Sequence, residues 1–208
     1  ISDLMNDKKI NAVYIGGGTP TSIPSRELER IIQSIYNRFG EENINEFTVE
    51  AGRPDTITVE YLTMLNKNHI KRISINPQTM NNDTLKLIGR QHKAEDIIKK
   101  YYLAKEIGFS VINMDLIVGL PQEGIKEIQN TLEEIKKLNP ENLTVHTLSV
   151  KRGSKFKDTY DKYSIQSQCT IGKMLDLTVQ YSKDMGLNPY YLYRQKQILG
   201  NYENVGYS

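Results

Sequence analysis

The sequence predicts an α/β protein built on a parallel β-sheet, and three observations carry that prediction. Strand and helix signals alternate along most of the chain. The first strand signal stops on three consecutive glycines, at the strand end where parallel α/β proteins bind small molecules. Several strands carry polar residues on one face, where a parallel sheet covered on both sides would be apolar throughout. Regular β-α alternation implies right-handed crossovers between parallel neighbours. It does not by itself decide between a closed and an open sheet.

The run Ile10-Asn-Ala-Val-Tyr-Ile15 reads as the first strand and ends on Gly16-Gly-Gly-Thr-Pro-Thr21. Glycines there remove side chains where the backbone emerges and let main-chain groups approach a ligand. The turn lacks the Lys-Ser or Lys-Thr of a phosphate loop and the G-x-G-x-x-G spacing of a dinucleotide fingerprint. The first helix carries Leu28, Ile31, Ile32, Ile35 and Phe39 on one stripe, with Ser25 as the expected N-cap and Gly40 as its stop. Further strands are predicted at Glu46–Ala51, Arg72–Asn76, Val111–Val118 and Leu143–Val150. Helices are predicted at Val59–Asn66, Asp83–Ile88, Glu95–Ile107 and Ile125–Leu138. Gly108 and Asn139-Pro140 end two of them. A long final helix spans about Ile165–Met185, with Ile171, Met174, Leu175, Thr178, Tyr181 and Met185 at core spacing.

The 208 residues are enough for one domain with a core, and no internal repeat or linker interrupts them. With 27 Lys+Arg against 25 Asp+Glu, the net charge of +2 gives no support to a nucleic-acid or membrane surface. No apolar run has the length of a membrane span. The single cysteine, Cys169, excludes an internal disulfide and suits a reducing cytosol, so a cytoplasmic protein is expected. The chain starts at Ile1 rather than Met, which suggests a piece of a longer protein.

The polar strand faces are the strongest pointer to a site. Thr48, Glu50 and Gly52 alternate with Phe47, Val49 and Ala51, and Ser74, Asn76 and Gln78 alternate with Ile73 and Ile75. Asn113 and Asp115 share a face of the fourth strand. Carboxylates and amides are costly in a dry core and make sense lining a polar cavity, of which a barrel lumen is the simplest form.

The segments Gly16-Gly-Gly-Thr-Pro-Thr21, Val49-Glu-Ala-Gly-Arg-Pro54, Arg72-Ile-Ser-Ile-Asn-Pro-Gln78, Leu85-Lys-Leu-Ile-Gly-Arg-Gln-His92 and Asn113-Met-Asp-Leu-Ile-Val-Gly-Leu-Pro121 form a set. In order and spacing the set resembles the radical S-adenosylmethionine (SAM) enzymes of the oxygen-independent coproporphyrinogen III oxidase type. Asn188-Pro-Tyr-Tyr-Leu-Tyr-Arg-Gln-Lys196 and Gly200-Asn-Tyr-Glu-Asn-Val-Gly206 resemble the branch found in clostridia and bacilli. The resemblance implies a parallel partial (β/α) barrel, with residues 1–208 forming a single barrel core. Its βα units would lie at about 10–150, with a C-terminal helix and extension at 151–208 on the substrate side.

The resemblance also implies chemistry. A [4Fe–4S] cluster is held by a CxxxCxxC motif, SAM is cleaved reductively, and two propionates of coproporphyrinogen III become the vinyls of protoporphyrinogen IX in anaerobic haem biosynthesis. An electron donor protein such as flavodoxin or ferredoxin and a tetrapyrrole substrate are the implied partners. No CxxxCxxC occurs here, and one thiolate cannot hold a cubane cluster. The sequence therefore reads as a barrel core truncated at its cluster-binding strand, with no metal ligands of its own and no activity in isolation.

Residue by residue, Gly17, Gly18 and Thr19 match the turn that contacts SAM, and Glu50 matches a carboxylate on its ribose or methionine amine. Gln78, Arg90 and Asp115 match deeper SAM contacts, and Ser149 a backbone contact. Arg90 also suits a helix C-terminal cap. Tyr190, Tyr191, Tyr193 and Arg194 fit either a tetrapyrrole face or a packed edge strand. His69 and His146 read as surface or packing residues, and His92 as a loop residue. A haem chaperone built on the same barrel is the alternative function. The segment Tyr190-Tyr-Leu-Tyr-Arg-Gln195 differs from the Tyr-Glu-x-Ser-Asn-Phe-like stretch typical of chaperones.

Overall fold

The computed structural model describes residues 9–149, 166–194 and 199–208. In chain order the elements are β1 (Ala12–Ile15), α1 (Ser25–Phe39), β2 (Glu46–Gly52), α2 (Val59–Lys67), β3 (Arg72–Gln78), α3 (Asn82–Leu87), α4 (Ala94–Ile107), β4 (Val111–Val118), α5 (Ile125–Leu138), β5 (Asn142–Thr147), α6 (Gln168–Asp184), β6 (Pro189–Tyr193) and β7 (Asn204–Tyr207). The strand order in the sheet is β1-β2-β3-β4-β5-β7-β6. The β1–β2, β2–β3 and β4–β5 pairs are parallel, and β7 pairs antiparallel with both β5 and β6. The antiparallel pair is a departure from the expected sequence of βα units. Val150 and Ile165, expected as strand and helix ends, lie outside the described residues.

The chain forms two compact units, Ile1–Ile75 with Lys99–Ile112, and Asn76–Ile98 with Asn113–Ser208. In the first unit, Val49, Ala51, Ile73 and Ile75 are fully buried, together with Leu28 and Ile32 of α1 and Leu62 and Leu65 of α2. Burying each of the larger aliphatic side chains contributes roughly 1.5–3 kcal/mol. The Tyr36 ring meets Phe47 edge-on at 5.5 Å, and its hydroxyl donates to the Asn68 carbonyl at 2.8 Å. The buried stripe of α1 is therefore Leu28, Ile32 and Tyr36, spaced by one turn each. Ile31, expected on that stripe, is 45% exposed, and the one-turn spacing of the buried residues puts it at the border of the face.

Helix ends follow their cap residues with one correction. Gly40 (φ +79°) and Gly108 (φ +107°) close α1 and α4, and Asn139 (φ +54°) closes α5 in the left-handed conformation. Ser25 is not an N-cap. It is the first helical residue of α1, Pro24 precedes it, and its hydroxyl donates to Glu60 instead. Proline fixes φ for the entry turn without a side-chain cap. The last helix begins at Gln168, capped by the Ser167 hydroxyl, which accepts from Thr170 N–H at 3.1 Å.

In the second unit, Met114, Leu116 and Val118 of β4 and Leu143 and Val145 of β5 are buried with Ile128, Leu132 and Ile135 of α5 and Ile171 and Met174 of α6. One carboxylate sits within this packing. Glu123 is fully buried, and its Oε1 accepts from Thr79 Oγ1 at 2.6 Å and Asn81 Nδ2 at 2.9 Å, while Oε2 has no partner among the described residues. Burial raises its pKa, against the pull of these hydrogen bonds. A carboxyl whose pKa is raised by folding contributes stability at pH below the ordinary carboxylate value, and that contribution is lost as pH rises through the folded value. Glu123→Gln is therefore expected to gain in melting temperature relative to wild type as pH increases from about 5 to 8, across the range above an ordinary Glu pKa. Glu123→Ala is expected to lose about 2–4 kcal/mol near pH 5, through a cavity and two orphaned donors, and the deficit narrows as pH rises and the wild type loses stability. Thermal unfolding across that range checks both. A wild type and Glu123→Gln difference that does not vary with pH would show that Glu123 stays ionised in the fold.

Candidate functional site

The glycine turn lies in the first unit. β1 pairs with β2 in the register Tyr14↔Thr48 and Ile15↔Val49, which brings the residues after β1 beside Glu50. The Gly17 N–H donates to Glu50 Oε2 at 3.2 Å, and the Tyr14 hydroxyl reaches the same oxygen at 3.3 Å. The three glycines serve two different needs. A Cβ on Gly16 would lie 2.1 Å from the Tyr14 ring and 2.9 Å from Glu50, so the first glycine makes room for those side chains. Gly17 and Gly18 have φ of +86° and +68°, and among the described residues a Cβ on either would meet nothing within 4 Å. These two glycines supply a left-handed turn with open space over its backbone.

The turn is anchored from behind. The Thr19 carbonyl accepts from Ser22 N–H at 2.9 Å and Ser22 Oγ at 2.7 Å. Thr21, buried, donates to the Ala51 carbonyl at 2.8 Å and shares a 2.6 Å hydrogen bond with Thr56. β2 ends in an irregularity between Glu50 and Gly52, where Gly52 turns to φ +68°. That bulge is placed next to the site carboxylate, a common position for one. Gly17, Gly18, Thr19 and Glu50 are thus brought together, and Tyr14 joins them. In the sequence Tyr14 is one residue of an apolar run and carries no signal of this role.

The second unit holds Gln78, Arg90, Asp115 and Ser149. Gln78 ends β3, buried, with φ +67°. The Arg90 N–H donates to the Leu85 carbonyl at 2.8 Å, so Arg90 sits at the C-terminus of α3, where its capping alternative would place it. Ser149 forms an isolated bridge just after β5. Asp115 is the best-defined of the four. Its Oδ1 accepts from Asn113 Nδ2 at 2.6 Å, and Asn113 Oδ1 accepts from Thr144 Oγ1 at 2.9 Å. Asp115 Oδ2 lies 3.8 Å from His146 Nε2, and His146 Nδ1 lies 2.9 Å from the Tyr193 hydroxyl. His146 thus has a polar neighbour at each ring nitrogen, a carboxylate oxygen at one and a hydroxyl at the other. A single sequence gives no sign of this, since the three residues lie far apart along the chain.

The other histidines take no part in these clusters. His69 is exposed at φ +60° and pairs with Glu41 at 3.5 Å, and His92, read as a loop residue, is buried. Tyr190, Tyr191 and Leu192 on β6 are more than half exposed, and Arg194 pairs with Glu203.

The radical SAM superfamily model matches residues 2–135. The chain is 52% identical over 204 residues to an oxygen-independent coproporphyrinogen-III oxidase-like protein, HemZ, of Bacillus subtilis, covering 98% of this chain and 41% of that protein. It is 31% identical to the haem chaperone HemW of Bacillus subtilis, covering 87% of this chain and 48% of the chaperone. Among solved structures it is similar to the coproporphyrinogen III oxidase HemN of Escherichia coli, a radical SAM enzyme, with a TM-score of 0.78 and 25% identity. That match covers 90% of this chain and 43% of HemN. The chain therefore spans less than half the length of each of these relatives. The fold is the α/β partial barrel of radical SAM type.

Members of that superfamily bind SAM and a [4Fe–4S] cluster. The residues of this chain fit the first group and not the second. At Gly17 and Gly18 the backbone is bare and the space above it open, with the Glu50 carboxylate alongside to receive an ammonium or a ribose hydroxyl. For the cluster, the sequence offers one cysteine, exposed on α6. Among the described residues no group of three or more His, Cys, Asp or Glu could hold a metal ion. No step involving the cluster is assigned to these residues. No described helix is long and apolar enough to cross a membrane.

Proposed function

The chain belongs to the radical SAM superfamily, and on that basis we propose that the protein containing it is a coproporphyrinogen III dehydrogenase. Each of two propionate arms would lose a β-hydrogen atom to the SAM-derived radical, then CO₂, and one electron to an external one-electron acceptor, leaving the vinyl groups of protoporphyrinogen IX. SAM, when bound and reduced by one electron, supplies the hydrogen-abstracting chemistry. This chain's residues bind and orient it. Gly17, Gly18 and Thr19 present backbone groups to the methionine end, and Glu50 accepts from its ammonium or from the ribose. Asp115 contributes a negative charge, while Gln78, Arg90 and Ser149 add polar contacts. The observation that carries the reading is the left-handed Gly17-Gly18 turn with its open face beside Glu50. The electron donor would be a small protein such as flavodoxin or ferredoxin, and the setting the cytoplasm. Residues 1–208 would form one barrel core, with 151–208 on the substrate side.

A second reading, haem binding and delivery, is favoured by the similarity to HemW across most of the chain. The two are separated by one experiment on the full-length protein under anaerobic conditions. With SAM, dithionite and coproporphyrinogen III, a dehydrogenase is expected to release 5′-deoxyadenosine together with CO₂ and protoporphyrinogen IX. Stoichiometric haem binding and transfer, with no decarboxylated porphyrinogen, would establish the chaperone reading instead.

A further inference from the structure

The carboxylate, imidazole and phenol of Asp115, His146 and Tyr193 lie in a row, with the imidazole between the other two. We infer that His146 is a positioning residue for Asp115, and that Tyr193 fixes the imidazole tautomer that makes it one. That Asp115 faces SAM rests on the proposed function; the link from His146 to Asp115 does not.

Three strands build the link. Asp115 on β4 is the register partner of Thr144 on β5, and His146 follows Thr144 by two residues, so it shares that face of the strand. β7 lies beyond β5, and Tyr193 of β6 is the register partner of Asn204 on β7. The tyrosine ring therefore reaches over the narrow intervening strand, and its edge-to-face contact with His146 has centroids 6.2 Å apart. Gly206, opposite Thr144, keeps this part of β7 low, and a Cβ there would lie 3.1 Å from the Tyr190 ring.

The chemistry follows from which atoms meet. An imidazole that accepts at one nitrogen carries its proton on the other. A Tyr193 hydroxyl that donates to Nδ1, 2.9 Å away, leaves the ring proton on Nε2, the nitrogen 3.8 Å from Asp115 Oδ2, and that is the arrangement the inference assigns. At 3.8 Å the contact is electrostatic rather than a hydrogen bond. It faces the second carboxylate oxygen while the first is held by Asn113. The side chains of Asp115 and His146 are 17% and 27% exposed, so both remain within reach of a ligand. Metal-ligating and catalytic histidines are oriented by the partner of their second nitrogen in the same way.

Two measurements on the full-length protein test this. Ring ¹H–¹⁵N correlation spectra, recorded without ligand above the ordinary histidine pKa, are expected to show His146 as the Nε2–H tautomer. Tyr193→Phe is expected to shift it toward a mixture. An Nδ1–H tautomer in the wild type, or no change in Tyr193→Phe, would overturn the inference. SAM binding is then compared across His146→Gln, which keeps a donor near the Nε2 position, and His146→Asn and His146→Phe, which do not. Dissociation constants are expected to rise about tenfold for Asn and Phe, and less than about threefold for Gln, as loss of one oriented polar contact implies. An order that follows side-chain volume instead would make His146 a packing residue only. If the wild type shows the expected tautomer and yet binds no SAM, the cofactor reading of Asp115 fails while the positioning role stands.

Discussion

Gly17→Val is expected to abolish SAM binding in the full-length protein while leaving the fold intact. At φ +86° a β-branched residue is strained by about 1–3 kcal/mol, which a folded domain can absorb. The larger effect is steric. The new side chain would fill the open space above the turn, where, among the described residues, nothing beyond the adjoining chain lies within 4 Å of the Cβ position. SAM affinity is expected to fall at least about a hundredfold, and 5′-deoxyadenosine release with it, which corresponds to about 2.8 kcal/mol or more. Gly17→Ala should show a smaller loss, since it brings the backbone strain with a single methyl. Calorimetric titration with SAM, alongside thermal unfolding, separates strain from blockage. A Gly17→Val protein that binds SAM like the wild type would remove the turn from the cofactor site.

Asp115→Asn is expected to be nearly as damaging to turnover and far gentler on stability. The amide keeps the size of the side chain, and its oxygen can still accept from Asn113. What it loses is the negative charge. An electrostatic contact in a water-poor site is worth a few kcal/mol, so deoxyadenosine release should fall to about a hundredth or a thousandth of the wild-type rate. Unimpaired release would make the match of Asp115 to the family a structural one alone.

Much of the fold was legible because its signals are local. Glycine and asparagine stops, the span of α5 at Ile125–Leu138 and that of β4 at Val111–Val118 each rest on signals within a short window, and the structure places them there. The misses are of another kind. Ser25 has the composition of an N-cap, but Pro24 already sets the helix entry. The place of Tyr36 on the buried face of α1 rests on its contacts with Phe47 and Asn68, which no heptad count reveals. An edge strand at Tyr190–Tyr193 is one of the two readings the sequence offers, but its antiparallel partner β7 is not legible there, because β7 inserts between strands that are distant in sequence. The glycine turn with Glu50 could be read from motif and register. The His146 link could not, since it joins residues 31 and 47 positions apart.

β7 comes after β6 in the chain, yet in the sheet it lies between β6 and β5. β6 therefore has nothing to pair with until β7 is in place, and its tyrosines cannot reach His146 from an unpaired strand. β7 bridges a long separation to reach β5, with Leu143 opposite Tyr207, and such non-local pairings are slow to form. The Tyr193–His146 contact is thus a mark of assembly: it closes only when β5, β7 and β6 lie side by side. Any event that frees β7 would undo the edge of the sheet and the orientation of Asp115 together, coupling the integrity of one short strand to the state of a carboxylate two strands away.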